Sequence, residues 1–277
     1  MKAKKYIMGS VLFLVILACS MPGLSLPAAI PTFDQNAIPT MVALTANAGM
    51  AQTAVSASPT PEPLPTATII ATPKVSMSGS SLVLRDDKTT VFTDYRTGIE
   101  LIIPAGWLAL RINEQEYYDA WTLPELSDPA FQGALTGINN LNPNESRLFA
   151  FDVQDGHLQR GFVTNINLLW SESEDISLDN DADLQDIADS TSKATPGLKI
   201  LSTDISANSS GIPIGVITSK VSRTTLGNVK MVVFYKQLFI KARTGVLIVT
   251  LTTTQELKDA VLPAFDVIFE TITLVQE

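Results

Sequence analysis

Nine of the sixteen prolines of this 277-residue chain fall between residues 20 and 80. With them stand only two acids (Asp34, Glu62), one base (Lys74) and one aromatic residue, Phe33. Such a segment cannot bury enough apolar area to offset the entropy of ordering it. Residues 19–80 therefore read as a disordered Pro/Ala/Thr-rich tether. Ser58-Pro59-Thr60-Pro61-Glu62-Pro63-Leu64-Pro65 favours polyproline II, a semi-rigid spacer of about 3 Å per residue. A Pro-free stretch runs over 40–58, and Ala37 ahead of it with Met41, Leu44, Ala48, Ala51 and Val55 within it fall at alternating spacings of four and three, a heptad-like seam. Either the seam joins tethers as a short coiled coil or, since Gly49 interrupts it, Ala dominates it and charged flanks are absent, the stretch is a single fraying helix or coil.

Ahead of the tether, Met1-Lys2-Ala3-Lys4-Lys5 is cationic, and an apolar run from Ile7 to Ala18 ends at Cys19, the only cysteine. Twelve residues are too few to cross a hydrocarbon core about 30 Å thick, but they suit the apolar region of a signal peptide. Ile16-Leu17-Ala18-Cys19 resembles a bacterial lipobox. That resemblance implies a signal peptide over 1–18, cleavage before Cys19, and a diacylglyceryl thioether on Cys19. An ordinary secretory leader, cut elsewhere, is the alternative. A lone extracytoplasmic cysteine has no intramolecular disulfide partner, and lipidation would account for there being only one. Cleavage removes three lysines and no acid, so the net charge moves from −9 to −12. An acidic protein gains no attraction from an anionic bilayer, so the expected membrane partner is reached through the lipid alone. The expected location is the extracytoplasmic face of the cell membrane.

From residue 81 the composition changes: 15 of the bases, 26 of the acids and all three tryptophans lie in 81–277, a length suited to one domain. Short β patterns run over 81–85, 91–94, 98–104 and 107–112, with Pro104-Ala105-Gly106 as a turn. Asp128-Pro129 is a helix start with Pro at its first position, leading to about Leu141. Two strands, 147–153 and 161–170, flank an Asp155-Gly156 turn. A helix follows from about Asp181 to Lys193, then β segments over 199–205, 212–222, 229–241 and 245–253. The last two are dense in β-branched and aromatic residues, as central strands are. A helix over 255–271 closes the chain and carries Pro263, which should kink it. Strands consecutive in sequence imply antiparallel pairing with helices on the sheet faces.

Three stretches together resemble the PsbP-like superfamily and the related DcrB-type lipoproteins. They are Phe92-Thr93-Asp94-Tyr95-Arg96-Thr97-Gly98-Ile99-Glu100-Leu101 followed by Ile103-Pro104-Ala105-Gly106-Trp107, then Asn165-Ile166-Asn167 ahead of an acidic helix, then Ala264-Phe265-Asp266-Val267-Ile268-Phe269-Glu270-Thr271 after a late hairpin. The resemblance implies an α+β fold, an α/β/α sandwich with a mostly antiparallel sheet flanked by helices. It also implies a class of mostly non-catalytic accessory proteins, and it brings no catalytic residues. The segment 113–144 is long for that family.

The chemistry of the side chains narrows the function further. A net charge of −9 argues against nucleic acid, which demands a basic face. One His and one Cys are too few ligands for a typical zinc or iron–sulfur site, and no cofactor is expected. Asp179-Asn180-Asp181-Ala182-Asp183 has alternate acids like a calcium loop. Yet Leu184 stands where Gly is needed and Ser190 where Glu is needed, so no metal site is expected, and Asp181 or Asp183 should instead cap the following helix. His157, the only imidazole, is expected to be a solvent-exposed turn residue. No Gly-x-Ser-x-Gly elbow and no phosphate-cradling glycine loop occur. Tyr117, Tyr118 and Trp121 form either a sugar- or peptide-binding lip or ordinary packing. The expectation is a monomeric, non-catalytic accessory or binding domain for a protein or small ligand. The alternatives are a carboxylate-dependent hydrolase using acids such as Glu114, Glu116 and Asp119, or Glu172, Glu174 and Asp175, and a stalk protein that oligomerises through its tether.

Overall fold

Two strands consecutive in sequence but not hydrogen-bonded to each other, Ile99–Ile103 and Trp107–Leu110, set the architecture. Between them Pro104 lacks a backbone donor, and Gly106 takes φ +85°, a value that side-chain-bearing residues resist. A Cβ on Gly106 would also come within 2.7 Å of Gln154 Cγ. The chain leaves one sheet at this turn and enters a second. The computed structural model describes residues 79–224 and 229–275, which belong to one compact unit. The expected signal peptide, Cys19, and the tether with its heptad-like seam lie outside the described residues.

The small sheet has the order β1-β2-β3-β11, from Ser80–Leu84, Thr90–Asp94, Ile99–Ile103 and Thr273–Leu274. The large sheet has the order β4-β5-β6-β10-β9-β8-β7. Its strands are β4 (Trp107–Leu110), β5 (Ser146–Asp152), β6 (Asn165–Ser171), β7 (Lys199–Ala207), β8 (Pro213–Thr224), β9 (Lys230–Lys241) and β10 (Val246–Thr254). Neighbouring strands pair antiparallel in both sheets. The mixed α+β class and the antiparallel pairing are as expected, while the single expected sheet is in fact two. The helices are α1 (Gln115–Ala120), α2 (Pro129–Ile138), α3 (Asp181–Ala194) and α4 (Lys258–Thr271). The sequence pattern did not show α1, whose six residues are fewer than two turns and carry no side-chain cap. Helix α4 begins three residues later than expected and runs on through Pro263.

Side-chain alternation in β5 divides the interior. Leu148 and Ala150 point to a core shared by Ile166, Leu168, Leu238 and Val249 of the large sheet, Phe92 and Leu101 of the small sheet, and Val261, Phe265 and Ile268 of α4. Phe149 and Phe151 point the other way, onto Tyr117, Phe131 and Leu135 of α1 and α2. On that same face α3 lays Leu184 and Ala188 over Ile217, Phe239 and Ile248. Gly215 permits this approach, because a Cβ there would meet Leu184 Cδ1 at 2.9 Å. Each fully buried large apolar side chain contributes about 1.5–3 kcal/mol, so the three cores hold helices on both faces of the large sheet.

Candidate functional site

The most elaborate polar construction lies where the ends of the two sheets meet. Asp94, the last residue of β2, is completely buried. Its Oδ1 accepts from the backbone N–H groups of Arg96 (3.0 Å) and Thr97 (3.3 Å), the local turn that aspartate favours. Gly98 completes the turn at φ +72°, its N–H donating to the Asp94 carbonyl at 2.9 Å. The same carboxylate receives Arg147 of β5 through two bonds, Nε to Oδ2 at 2.6 Å and Nη2 to Oδ1 at 3.1 Å. Both side chains are at most 1% exposed. A bidentate guanidinium–carboxylate pair is the geometry best able to offset the desolvation of two charges. Arg147 Nη1 also donates to the Pro143 carbonyl at 3.0 Å, and its guanidinium lies 5.9 Å from the Trp170 ring centroid.

Trp170, on β6, carries the stitching onward. Its indole N–H donates to the Thr244 carbonyl at 2.8 Å and its backbone N–H to that of Glu145 at 2.7 Å. In the β9–β10 turn, Arg243 N–H donates to the Thr97 carbonyl at 3.0 Å. Gly245 is required there, since a Cβ would fall 2.0 Å from the Ser171 carbonyl oxygen. Three turns and one strand end are thus tied together around a cleft of about 830 Å³. Tyr95, Arg96, Glu145, Trp170, Glu172 and Arg243 are among the residues that line it, with Asn142 and Asn144 beside them. Arg96 Nη1 donates to Asn144 Oδ1 at 2.8 Å, and Asn142 Nδ2 donates to Glu145 Oε1 at 2.9 Å. The wall carries guanidinium donors, carboxylate acceptors and amides that do both.

The residues singled out from sequence lie elsewhere, with one exception. His157 is not a solvated turn residue: its Nδ1 lies 2.6 Å from Oδ2 of the buried Asp152, and its side chain is 20% exposed. A carboxylate buried at the end of β5 must find partners, and Asp152 takes His157 together with the backbone and side-chain nitrogens of Gln154. Tyr117 is core, its hydroxyl donating to the Leu135 carbonyl at 3.1 Å, and burial raises its pKa above the ordinary phenol value. Tyr118 and Trp121 stack edge-on against it at 5.5 and 6.2 Å and stay 55% and 38% exposed. Glu116 is paired with Arg111, which also donates to the Ser80 carbonyl, and Asp119 accepts from Gln115. Glu172 is the exception, standing in the cleft wall.

Around α3, Asn180 is the cap, extended at φ −154° and accepting from Ala182 N–H at 3.0 Å. Asp181 and Asp183, expected in that role, lie within the first turn, where a side chain no longer has the extended backbone that capping needs. Asp183 accepts from Ser177 N–H and Asp179 from Ser177 Oγ. Among the described residues, no three His, Cys, Asp or Glu side chains converge as metal ligands. The sequence reading quoted Asp94 and Arg96 within the stretch that carries the family resemblance but gave them no role, and it missed Arg147 and Arg243. The available signal was the Asp94-x-x-Thr97-Gly98 turn, but its long-range partner is 53 residues away and carries no local pattern.

No family model and no curated protein matches the chain. Among solved structures it is similar to the cyanobacterial PsbP of Synechocystis sp. PCC 6803, with 14% identity over 72% of this chain and 95% of that one and a TM-score of 0.38. It is similar to LpqN of Mycobacterium tuberculosis, a protein involved in cell envelope biogenesis, with 15% identity, coverage of 71% and 91%, and a TM-score of 0.40. It is also similar to the Ran-binding protein Mog1p of Saccharomyces cerevisiae, with 11% identity, coverage of 68% and 96%, and a TM-score of 0.40. No residue role passes from these proteins to this chain.

Proposed function

We propose that this chain is an extracytoplasmic lipoprotein held to the membrane by a lipid on Cys19, and that its domain from about residue 80 is a non-catalytic accessory or binding module. The observation that carries the binding reading is the cleft between the sheets. Its walls are fixed by buried bonds, and nine of the eleven residues that line it are polar or charged, with Tyr95 and Trp170 as its aromatic surface, a lining suited to a polar ligand. The anchor is supported by the cationic start, the short apolar run and the position of the only cysteine at its end. Among the described residues no helix is long and apolar enough to cross a membrane.

Cys19→Ser tests the anchor. The variant should lose incorporation of a radiolabelled fatty acid and should leave the membrane fraction or accumulate with its leader uncut. Unchanged labelling would overturn the assignment. The hydrolase alternative concentrates on Glu145 and Glu172, the carboxylates that share the cleft. Turnover of a glycan or peptide that stops in Glu172→Gln would replace the binding module with an enzyme.

A further inference from the structure

We infer that the cleft takes an uncharged, hydroxyl-rich ligand, a short oligosaccharide. This rests on the reading of the cleft as the binding face. The first ground is charge. Arg96 and Arg243 are matched in the wall by Glu145 and Glu172, and Arg147 behind Trp170 is already matched by Asp94. A polyanion or a polycation entering this space would meet two like charges at close range, a cost that grows as water is excluded. An uncharged ligand meets neither penalty.

The second ground is the mixture of donors and acceptors. A sugar hydroxyl both donates and accepts, so it is best held by donors and acceptors side by side. Guanidinium groups only donate, carboxylates only accept, and the amides of Asn142 and Asn144 do both. Two of these contacts exist before any ligand arrives, Arg96 with Asn144 and Asn142 with Glu145, which lowers the ordering cost of binding. Tyr95, 38% exposed and lining the cleft, is an aromatic side chain with a polar tip, the kind on which the C–H side of a sugar packs. A volume of about 830 Å³ lies within the range of small-ligand sites, about 300–1,000 Å³. A peptide added as a β-strand is disfavoured, because the wall is made of turns and a strand end and offers no open strand edge along its length.

The test is calorimetry on the full chain in a detergent without a sugar headgroup, titrated with maltotriose, cellotriose, chitotriose, a neutral tripeptide and a short polyphosphate. At least one trisaccharide is expected to bind with a Kd below about 1 mM, and Tyr95→Ala and Arg243→Ala should each weaken it at least tenfold. Tyr118→Ala, on the exposed aromatic pair of α1, should leave it unchanged. Should Arg243→Ala fail to fold, the surface variant Tyr95→Ala still decides the matter. Loss of sugar binding in Tyr118→Ala alone would move the ligand to α1 and overturn both the inference and the cleft as binding face. Tripeptide or polyphosphate binding weakened by the cleft variants, with no sugar bound, would overturn the sugar assignment and keep the cleft. Binding of no probe would overturn the oligosaccharide inference, with the membrane anchor judged separately by Cys19→Ser.

Discussion

The core beneath α4 and the junction between the sheets are buried to the same degree and built from opposite chemistry. Under α4, Phe265, Ile268, Leu238 and Val249 are fully inaccessible, and each contact is one of many. At the junction, Asp94 and Arg147 are equally inaccessible, and each sets its charge against the other's. Apolar burial contributes roughly in proportion to area and can lose a part without losing the whole. Charged burial is close to all or none, because the surviving partner keeps its full desolvation penalty.

Asp94→Ala should break the comparison most sharply. It strands the Arg147 guanidinium in the junction and should cost about 3–5 kcal/mol, read as a fall in the urea midpoint. Phe265→Ala should cost a similar amount, about 3–5 kcal/mol, by leaving a cavity. The two losses part company on a second substitution. Adding Arg147→Leu to Asp94→Ala removes the stranded charge and should recover part of the stability, the remainder being the cost of the Arg96 and Thr97 N–H groups that lose the Asp94 acceptor. A double variant no more stable than Asp94→Ala would mean that the junction is held by something other than the pair.

The same division explains what could be read from the sequence. The β10 run Val246-Leu247-Ile248-Val249 and the α4 stripe of Val261, Phe265 and Ile268 announce themselves by period and β-branching, and they fall in strand and helix as expected. Asp128-Pro129 caps α2 as expected, accepting from Ala130 N–H, because that signal is complete within three residues. The split into two sheets depends on a turn whose outcome is decided by which strands pair later. The Asp152–His157 contact and the junction depend on burial, which a short polar stretch does not display. Of the cleft, Glu172, Tyr95 and Arg96 stood within stretches already singled out, but nothing in the sequence places Arg243 beside them.

A smaller effect sharpens the apolar half of the comparison. Gly215→Ala places a Cβ where Leu184 Cδ1 would lie at 2.9 Å and Leu178 Cδ2 at 3.0 Å. Leu184 is itself fully buried, so it cannot turn aside into solvent, and α3 must shift from the sheet. Overpacking of this kind costs about 1–3 kcal/mol. Leu184→Ala introduced with it should relieve the clash, leaving the double variant less destabilised than the sum of the two single changes. Strict additivity would show that α3 is not seated on Gly215.

The smallest expected effect comes from an ion pair of ordinary geometry placed in water. Lys241 Nζ lies 3.2 Å from Asp175 Oδ1, with the two side chains 63% and 79% exposed. Asp175 also accepts from the Ile176 N–H through Oδ1 at 3.0 Å, a bond that an amide oxygen can keep. Asp175→Asn therefore removes the charge while retaining the acceptor, which isolates the electrostatic part. In water the attraction is weak and the long lysine side chain must give up rotamer freedom to hold it, so the loss should be under about 1 kcal/mol. It should also shrink as the salt concentration rises from about 0.01 to 1 M, where the screening length falls from about 30 to 3 Å. The buried pair, by contrast, should lose little of its dependence on Asp94 over the same range. Urea unfolding of both variants at the two ionic strengths makes the comparison, and a loss above about 2 kcal/mol in Asp175→Asn, unmoved by salt, would mean that exposure does not separate these two pairs.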